Sequence, residues 1–340
     1  MVFQLSNPAA HAGNVVAGLP TVPPVPANVV AGLLTVPPAR PKVSNVAAAP
    51  ALSRRAWLRI VGCGAAVGSS FLALPAIHAA EPLAAKATNS RSAREEAIQA
   101  IPYDKLPRET RGTVVQVVNN PSIYRRLPTQ TIDCDPDLYL FLLRNPEVVV
   151  NIWRMMGITN MTLDRTTANR LRAADGQGTV GSVEYSYRSA DTHVLYSEGS
   201  YDGPMYPVKL RGQCVLLLRS GYVRQSNGRV QITNRLDAFL HVDNLGIELV
   251  AKTLQPLLGK TADHNFAETA TFLSTMSHTA EKNPNGIARL AARLTRLDPQ
   301  VRDQFVDISR RVADNASAQA ALAPAAHLRG SDTADMRVDR

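Results

Sequence analysis

The residues of this chain with chemistry to offer are its histidines, tyrosines and acids. His193, His241, His264 and His278 stand singly, with no His-x-x-x-His or Cys-x-x-Cys spacing that would gather ligands for a metal. The chain also lacks a nucleophile elbow, a phosphate-cradling glycine loop and a paired-glycine dinucleotide fingerprint. That pattern counts against ordinary hydrolase or oxidoreductase chemistry, and it assigns no catalytic residue, metal or cofactor. His241 and Asp243, two apart, project from one side of a strand and form the best acid–base pair. However, the alternation of Val230, Ile232, Leu236, Leu240 and Val242 turns that side outward, beside Arg235 and Asp237, so His241 reads as a solvated cross-strand partner. His193 is opposite in phase to Val194 and Tyr196 and reads the same way. Tyr185, Tyr187 and Tyr196 share phase with apolar neighbours. A tyrosine there either orients an amphiphilic ligand through its polar tip or packs in the core with its hydroxyl on backbone.

The elements that position these residues centre on Val208 to Lys282. Leu210, Gly212, Cys214, Leu216 and Leu218 alternate with polar residues, Ser226-Asn227-Gly228 supplies a turn, and Val230 to Val242 alternates again. A long apolar-faced helix follows within Gly246 to Lys282, capped by Asp243-Asn244 and interrupted at Pro256 and Gly259. The predicted lining of a cavity between sheet and helix is Tyr185, Tyr187, Val194, Tyr196, Leu216, Leu218, Ile232, Leu236, Leu240, Phe272 and Met276.

Upstream, 81–122 reads as an N-terminal arm with a helix over Ala93 to Ile101 and a β-branched strand over Thr113 to Val118. A main domain spans 123–282. It opens with a strand from Tyr124 to Cys134, then helices Asp137 to Leu143 and Glu147 to Met156, then strands Thr162 to Ala173, Thr179 to Arg188 and Thr192 to Tyr201. Accessory helices fill 283–315, and the polar, Ala-rich stretch 316–340 is expected to be disordered. The order strand, two short helices, antiparallel meander, long helix resembles the helix-grip fold of the START-like ligand-binding superfamily, the polyketide cyclase and birch-pollen-allergen-like group. The likeness covers about half the chain and rests on element order, with no diagnostic motif. It implies an α+β fold whose curved antiparallel sheet wraps a C-terminal helix around an apolar cavity, and an apolar or amphiphilic small-molecule partner, such as a lipid. The same fold leaves open a cyclase- or aromatase-like enzyme, or an interaction module whose core is filled by its own side chains.

Charge and targeting set the remaining expectations. The net charge of +9 includes five basic residues within the first eighty positions, which contain no acid, so from Glu81 onward it is +4. Arginines there are interspersed with acids, which argues against a nucleic-acid partner. Residues 1–52 are Pro- and Ala-rich with a twice-repeated unit beginning at Asn14 and Asn28, read either as a spacer or as sequence upstream of a start near Val43 or Val46. In 53–80, Arg54-Arg55 precedes an apolar run and an Ala-rich end, which resembles a bacterial twin-arginine export signal, though Ala56 and Trp57 depart from the usual bulky pair. The expected location is periplasmic or extracytoplasmic, the alternatives being an uncleaved anchor or a lipid attached at Cys63. Cys134 and Cys214 either pair there or remain buried thiols. The stripe Ile287 to Leu297, flanked by Arg289, Arg293 and Arg296, fits an anionic membrane surface or its own protein.

Overall fold

The structure, a computed structural model, describes residues 86–203, 209–243 and 257–322. Residues 1–85, including the export-signal reading, and the helix start at 244–256 with Pro256, lie outside the described residues. The architecture is α+β: an eight-stranded antiparallel sheet that does not close on itself, with helices on both faces.

Two helices precede the sheet. Helix α1 (Arg91–Gln99) is capped by the Ser90 hydroxyl, which accepts from the Ala93 N–H. Helix α2 (Arg108–Asn119) replaces the strand expected at Thr113 to Val118. Val114, Val117 and Val118 fall at i, i+3 and i+4, and all three are fully buried against the sheet. Burying one valine contributes about 1.5–3 kcal/mol, which outweighs the few tenths by which β-branching disfavours a helix.

Strands β1 (Ile123–Arg126) and β2 (Gln130–Asp133) lie end to end along one neighbour, the expected first strand interrupted at Pro128. Helix α3 (Pro136–Arg144) starts on the Asp135 carboxylate, which accepts from the Asp137 and Leu138 N–H groups. Asn145 both ends α3 and begins α4 (Pro146–Met155), and Gly157, at φ 71°, turns the chain out. The single strand expected over Thr162 to Ala173 is a hairpin of β3 (Thr162–Arg165) and β4 (Arg170–Ala174). Strands β5 (Thr179–Arg188) and β6 (Thr192–Tyr201) keep the expected bounds, and β7 (Leu210–Arg224) and β8 (Val230–Val242) form the long hairpin, Gly228 taking φ 84° at its turn. The order across the sheet is β1 with β2, then β8, β7, β6, β5, β4 and β3.

Ala173, Gly181, Gly199 and Gly212 are successive cross-strand partners on β4 to β7. A Cβ at Gly181 would lie 2.6 Å from the Glu198 carbonyl oxygen, so the approach of β5 to β6 requires glycine.

Gly259 departs from helical geometry (φ −84°, ψ −117°), and the regular terminal helix α5 runs Ala262–Lys282. It is fastened to the β1–β2 edge: Arg125 Nε donates to Asp263 Oδ1 at 3.0 Å, and the Asp133 and Asp135 N–H groups donate to the hydroxyls of Ser274 and Ser277. Helices α6 (Pro284–Arg293) and α7 (Pro299–Leu322) pack back on α3 to α5, with Phe141 stacked on Phe305 at 5.8 Å. Helix α7 continues to Leu322, so helix occupies the start of the segment expected to be disordered. The stripe Ile287, Leu290, Ala291, Leu294 and Leu297 is buried in that helical cluster.

Candidate functional site on the inner face of the sheet

The two faces of the sheet have different partners. The outer face carries Tyr124, Val194, Tyr196, Val215, Leu217 and Phe239 under α1 and α2. The inner face carries Val183, Tyr185, Leu195, Cys214, Leu216, Leu218, Ala238 and Leu240, facing Val150 of α4 and Ala262 and Phe266 of α5, with Leu236 at its margin. Exposure is low on both faces: outer-face Val194, Val215, Leu217 and Phe239 are at 0%, Tyr124 at 7% and Tyr196 at 8%, and inner-face Cys214 is at 0%, Leu240 at 2%, Leu216 and Leu218 at 7%, Phe266 at 8% and Leu195 at 9%. Leu195, Leu216, Leu218 and Phe266 thus keep a small apolar surface within reach of solvent.

A β-bulge decides which tyrosines face this space. The β5–β6 register pairs Tyr185 with Leu195 but Tyr187 with Val194 and Arg188 with His193, so the chain shifts by one residue at Ser186. Beyond the bulge Tyr187 moves to the outer face, where its ring lies 5.7 Å from Lys105 Nζ, while Arg188 moves inward. Val194 and Tyr196 are on the outer face too. Tyr187, Val194 and Tyr196 are thus corrections to the predicted lining, because α1 and α2 give the outer face an apolar cover as complete as the inner one.

Of the other predicted lining residues, Tyr185, Leu216, Leu218, Leu236 and Leu240 are brought together on the inner face. Ile232, Phe272 and Met276 belong to the adjoining cluster with α3, α4, α6 and α7; Phe272 meets Trp153 edge-on at 5.4 Å.

The inner face also has a polar end that its alternation concealed. His193 was expected outward; it is inward and fully buried, and among the described residues neither ring nitrogen has a hydrogen-bond partner. Its ring meets Tyr185 edge-on at 6.5 Å, and the Arg188 guanidinium lies over the Tyr185 ring at 5.0 Å. Burial first, then the guanidiniums of Arg144 and Arg188, push the His193 imidazole down to about 4, with Asp191 opposing. It is therefore neutral at pH 7, offering one donor and one acceptor. The Tyr185 hydroxyl donates to the Leu143 carbonyl at 2.5 Å, and burial raises its pKa. Every residue from His193 to Ser197 is buried, so no polar–apolar contrast marks the phase of that strand.

His241 is outward as expected, its Nδ1 donating to the Asn120 carbonyl at 2.8 Å. Its neighbour Asp237, expected to be solvated, is fully buried beneath α1 and bonded to Tyr124 and Arg126. Cys134 and Cys214 are free, buried in separate clusters, and burial pushes both thiols up to about 12. Among the described residues no group of three or more His, Cys, Asp or Glu is placed to hold a metal ion, and no helix is long and apolar enough to cross a membrane.

No family model matches this chain, and no curated protein matches it. Among solved structures it is similar to a conserved protein from Geobacillus kaustophilus (9% identity, 43% of this chain and 92% of that one, TM-score 0.28). It is also similar to an uncharacterized protein from Rhizobium leguminosarum (10%, 44% and 94%, TM-score 0.29) and to a protein from Rhizobium loti (14%, 44% and 96%, TM-score 0.29).

Proposed function

We propose that this chain is a START-like, helix-grip binding protein that holds an apolar or amphiphilic small molecule between the inner face of the sheet and α5. The observation that carries this reading is the residual apolar exposure on the inner face beside α5, where Leu195 keeps 9%, Phe266 8%, and Leu216 and Leu218 7%. Removing such residual apolar surface from water contributes about 25 cal/mol per Å², from which the cost of ordering the ligand is subtracted. The buried Tyr185–His193 pair gives the space one polar end, which suits an amphiphile better than a hydrocarbon. Titration of the full chain with a fluorescent fatty-acid probe tests the reading. Saturable 1:1 binding that Leu216→Phe abolishes supports it, and absence of binding to the folded chain contradicts it.

The paired Arg54-Arg55 ahead of an apolar run supports export as the route by which the chain meets such a ligand. Replacing both arginines with lysine should retain the chain in the cytoplasm, as read by cell fractionation; unaltered export would remove the twin-arginine reading.

A further inference from the structure

Arg188 and His193 are cross-strand partners beside the β5 bulge, both on the inner face and both against the Tyr185 ring. Arg188 is half-buried, yet among the described residues its guanidinium bonds only to the Asn169 side-chain oxygen, at 2.5 Å, and pairs with no carboxylate. Desolvation first, and the nearby cations Arg165 and Arg144 after it, destabilise its charge, with Tyr185 opposing them. Arg165 is neutralised by Glu147, which it grips at 2.6 and 2.8 Å, whereas Arg144, at the end of α3, has no acidic partner among the described residues. Asp191, the remaining acid close by, accepts from Ser189 at 2.6 Å and forms no ion pair with Arg188.

Half-buried Arg188 thus lacks a counter-ion beside a sealed histidine whose nitrogens are unused, and leaving a buried polar group unpaired is costly, whereas Arg144 is exposed to solvent. The α3 carbonyls that would repel an anion there are already occupied: Leu143 accepts from Tyr185 and Arg144 from Arg165.

We infer that this corner, formed by Arg144, Arg188 and His193, receives the anionic head, a carboxylate or phosphate, of the amphiphile whose tail lies along Leu195, Leu216 and Leu218. The proposal rests on the ligand reading above and adds the sign and position of the head group. The head enters past Arg188, which is partly exposed, and accepts hydrogen bonds from its guanidinium, and, once the side chains that seal His193 move aside, from the His193 N–H. Arg144 supplies longer-range attraction.

The test compares dodecanoate, dodecanol, acetate and inorganic phosphate on the full chain by isothermal titration calorimetry. Dodecanoate should bind about tenfold or more tighter than dodecanol, as one charge-assisted hydrogen bond requires. Arg188→Gln should erase that preference by weakening dodecanoate far more than dodecanol, and His193→Gln, which keeps a donor, should retain part of it. Equal affinity for dodecanoate and dodecanol would overturn the head-group assignment and leave the cavity standing. Binding of neither would overturn both. Acetate or phosphate binding as tightly as dodecanoate would reassign the corner to a free anion and overturn the amphiphile proposal.

Discussion

Replacing Asp237 with asparagine should cost this protein about 3 kcal/mol of stability. The carboxylate has no exposure and accepts from the Tyr124 hydroxyl at 2.7 Å, from Arg126 Nε at 2.7 Å and from Arg126 Nη2 at 3.4 Å. Arg219 approaches it at 3.6 Å. Arg126 in turn donates to the Ala93 carbonyl at 3.0 Å and Glu96 at 2.7 Å, so Asp237 ties β8 and β1 to α1. Asparagine keeps the volume but offers one acceptor oxygen and points an NH2 group at guanidinium donors. Breaking a buried ion pair from one side costs about 3–5 kcal/mol, and the low end applies because Arg126 keeps its other two partners. Urea unfolding followed by circular dichroism should give a lower midpoint at an unchanged slope. The double variant Asp237→Leu with Arg126→Met, which removes both charges, should recover most of the loss. A cost under about 1 kcal/mol for Asp237→Asn, the range of an exposed pair, would refute the view that this network fastens the N-terminal helices.

Two pH windows should appear in stability. His193 titrates near 4 in the fold and near 6.5 outside it, so the unfolded chain binds its proton first. Its contribution stands above pH 6.5 and is lost as pH falls through 4, a slope that His193→Leu should remove from urea midpoints. Glu96, held down to about 2 chiefly by its hydrogen bond to Arg126, contributes above pH 4.5 and loses that contribution as pH falls through 2. Because Glu96 is half-exposed, salt should weaken this second effect, and Glu96→Gln should abolish it. Ile232→Phe should cost about 1–3 kcal/mol by overpacking a fully buried position, whereas Leu216→Phe should cost less and act on ligand retention; equal losses would mean the inner face has no spare room. Cys134 and Cys214 should stay unreactive towards Ellman's reagent until the chain is unfolded, and rapid native labelling of either would contradict their burial.

The bounds of β5 and β6, the β7–β8 hairpin and the paired helices α3 and α4 were legible because period-2 alternation, Asn227-Gly228 and Asp135-Pro136 are local signals. The helix at Thr113 to Val118 was not, since Val114, Val117 and Val118 fit a strand by composition and become helical through what they pack on. The bulge at Ser186 was equally hidden: one unpaired residue reverses Tyr187 and Arg188, and only cross-strand register reveals it. That single shift explains why the predicted lining kept Tyr185 yet missed Arg188, while His193 was hidden because every residue from His193 to Ser197 is buried. With helices on both faces, burial alone does not say which face a strand residue serves.

The most direct test of ligand binding is native mass spectrometry, with organic extraction, of the full chain purified from the envelope fraction of its own host. The account predicts one co-purifying apolar or amphiphilic molecule per chain, absent from the Leu216→Phe variant. A folded chain that carries no such molecule would contradict it.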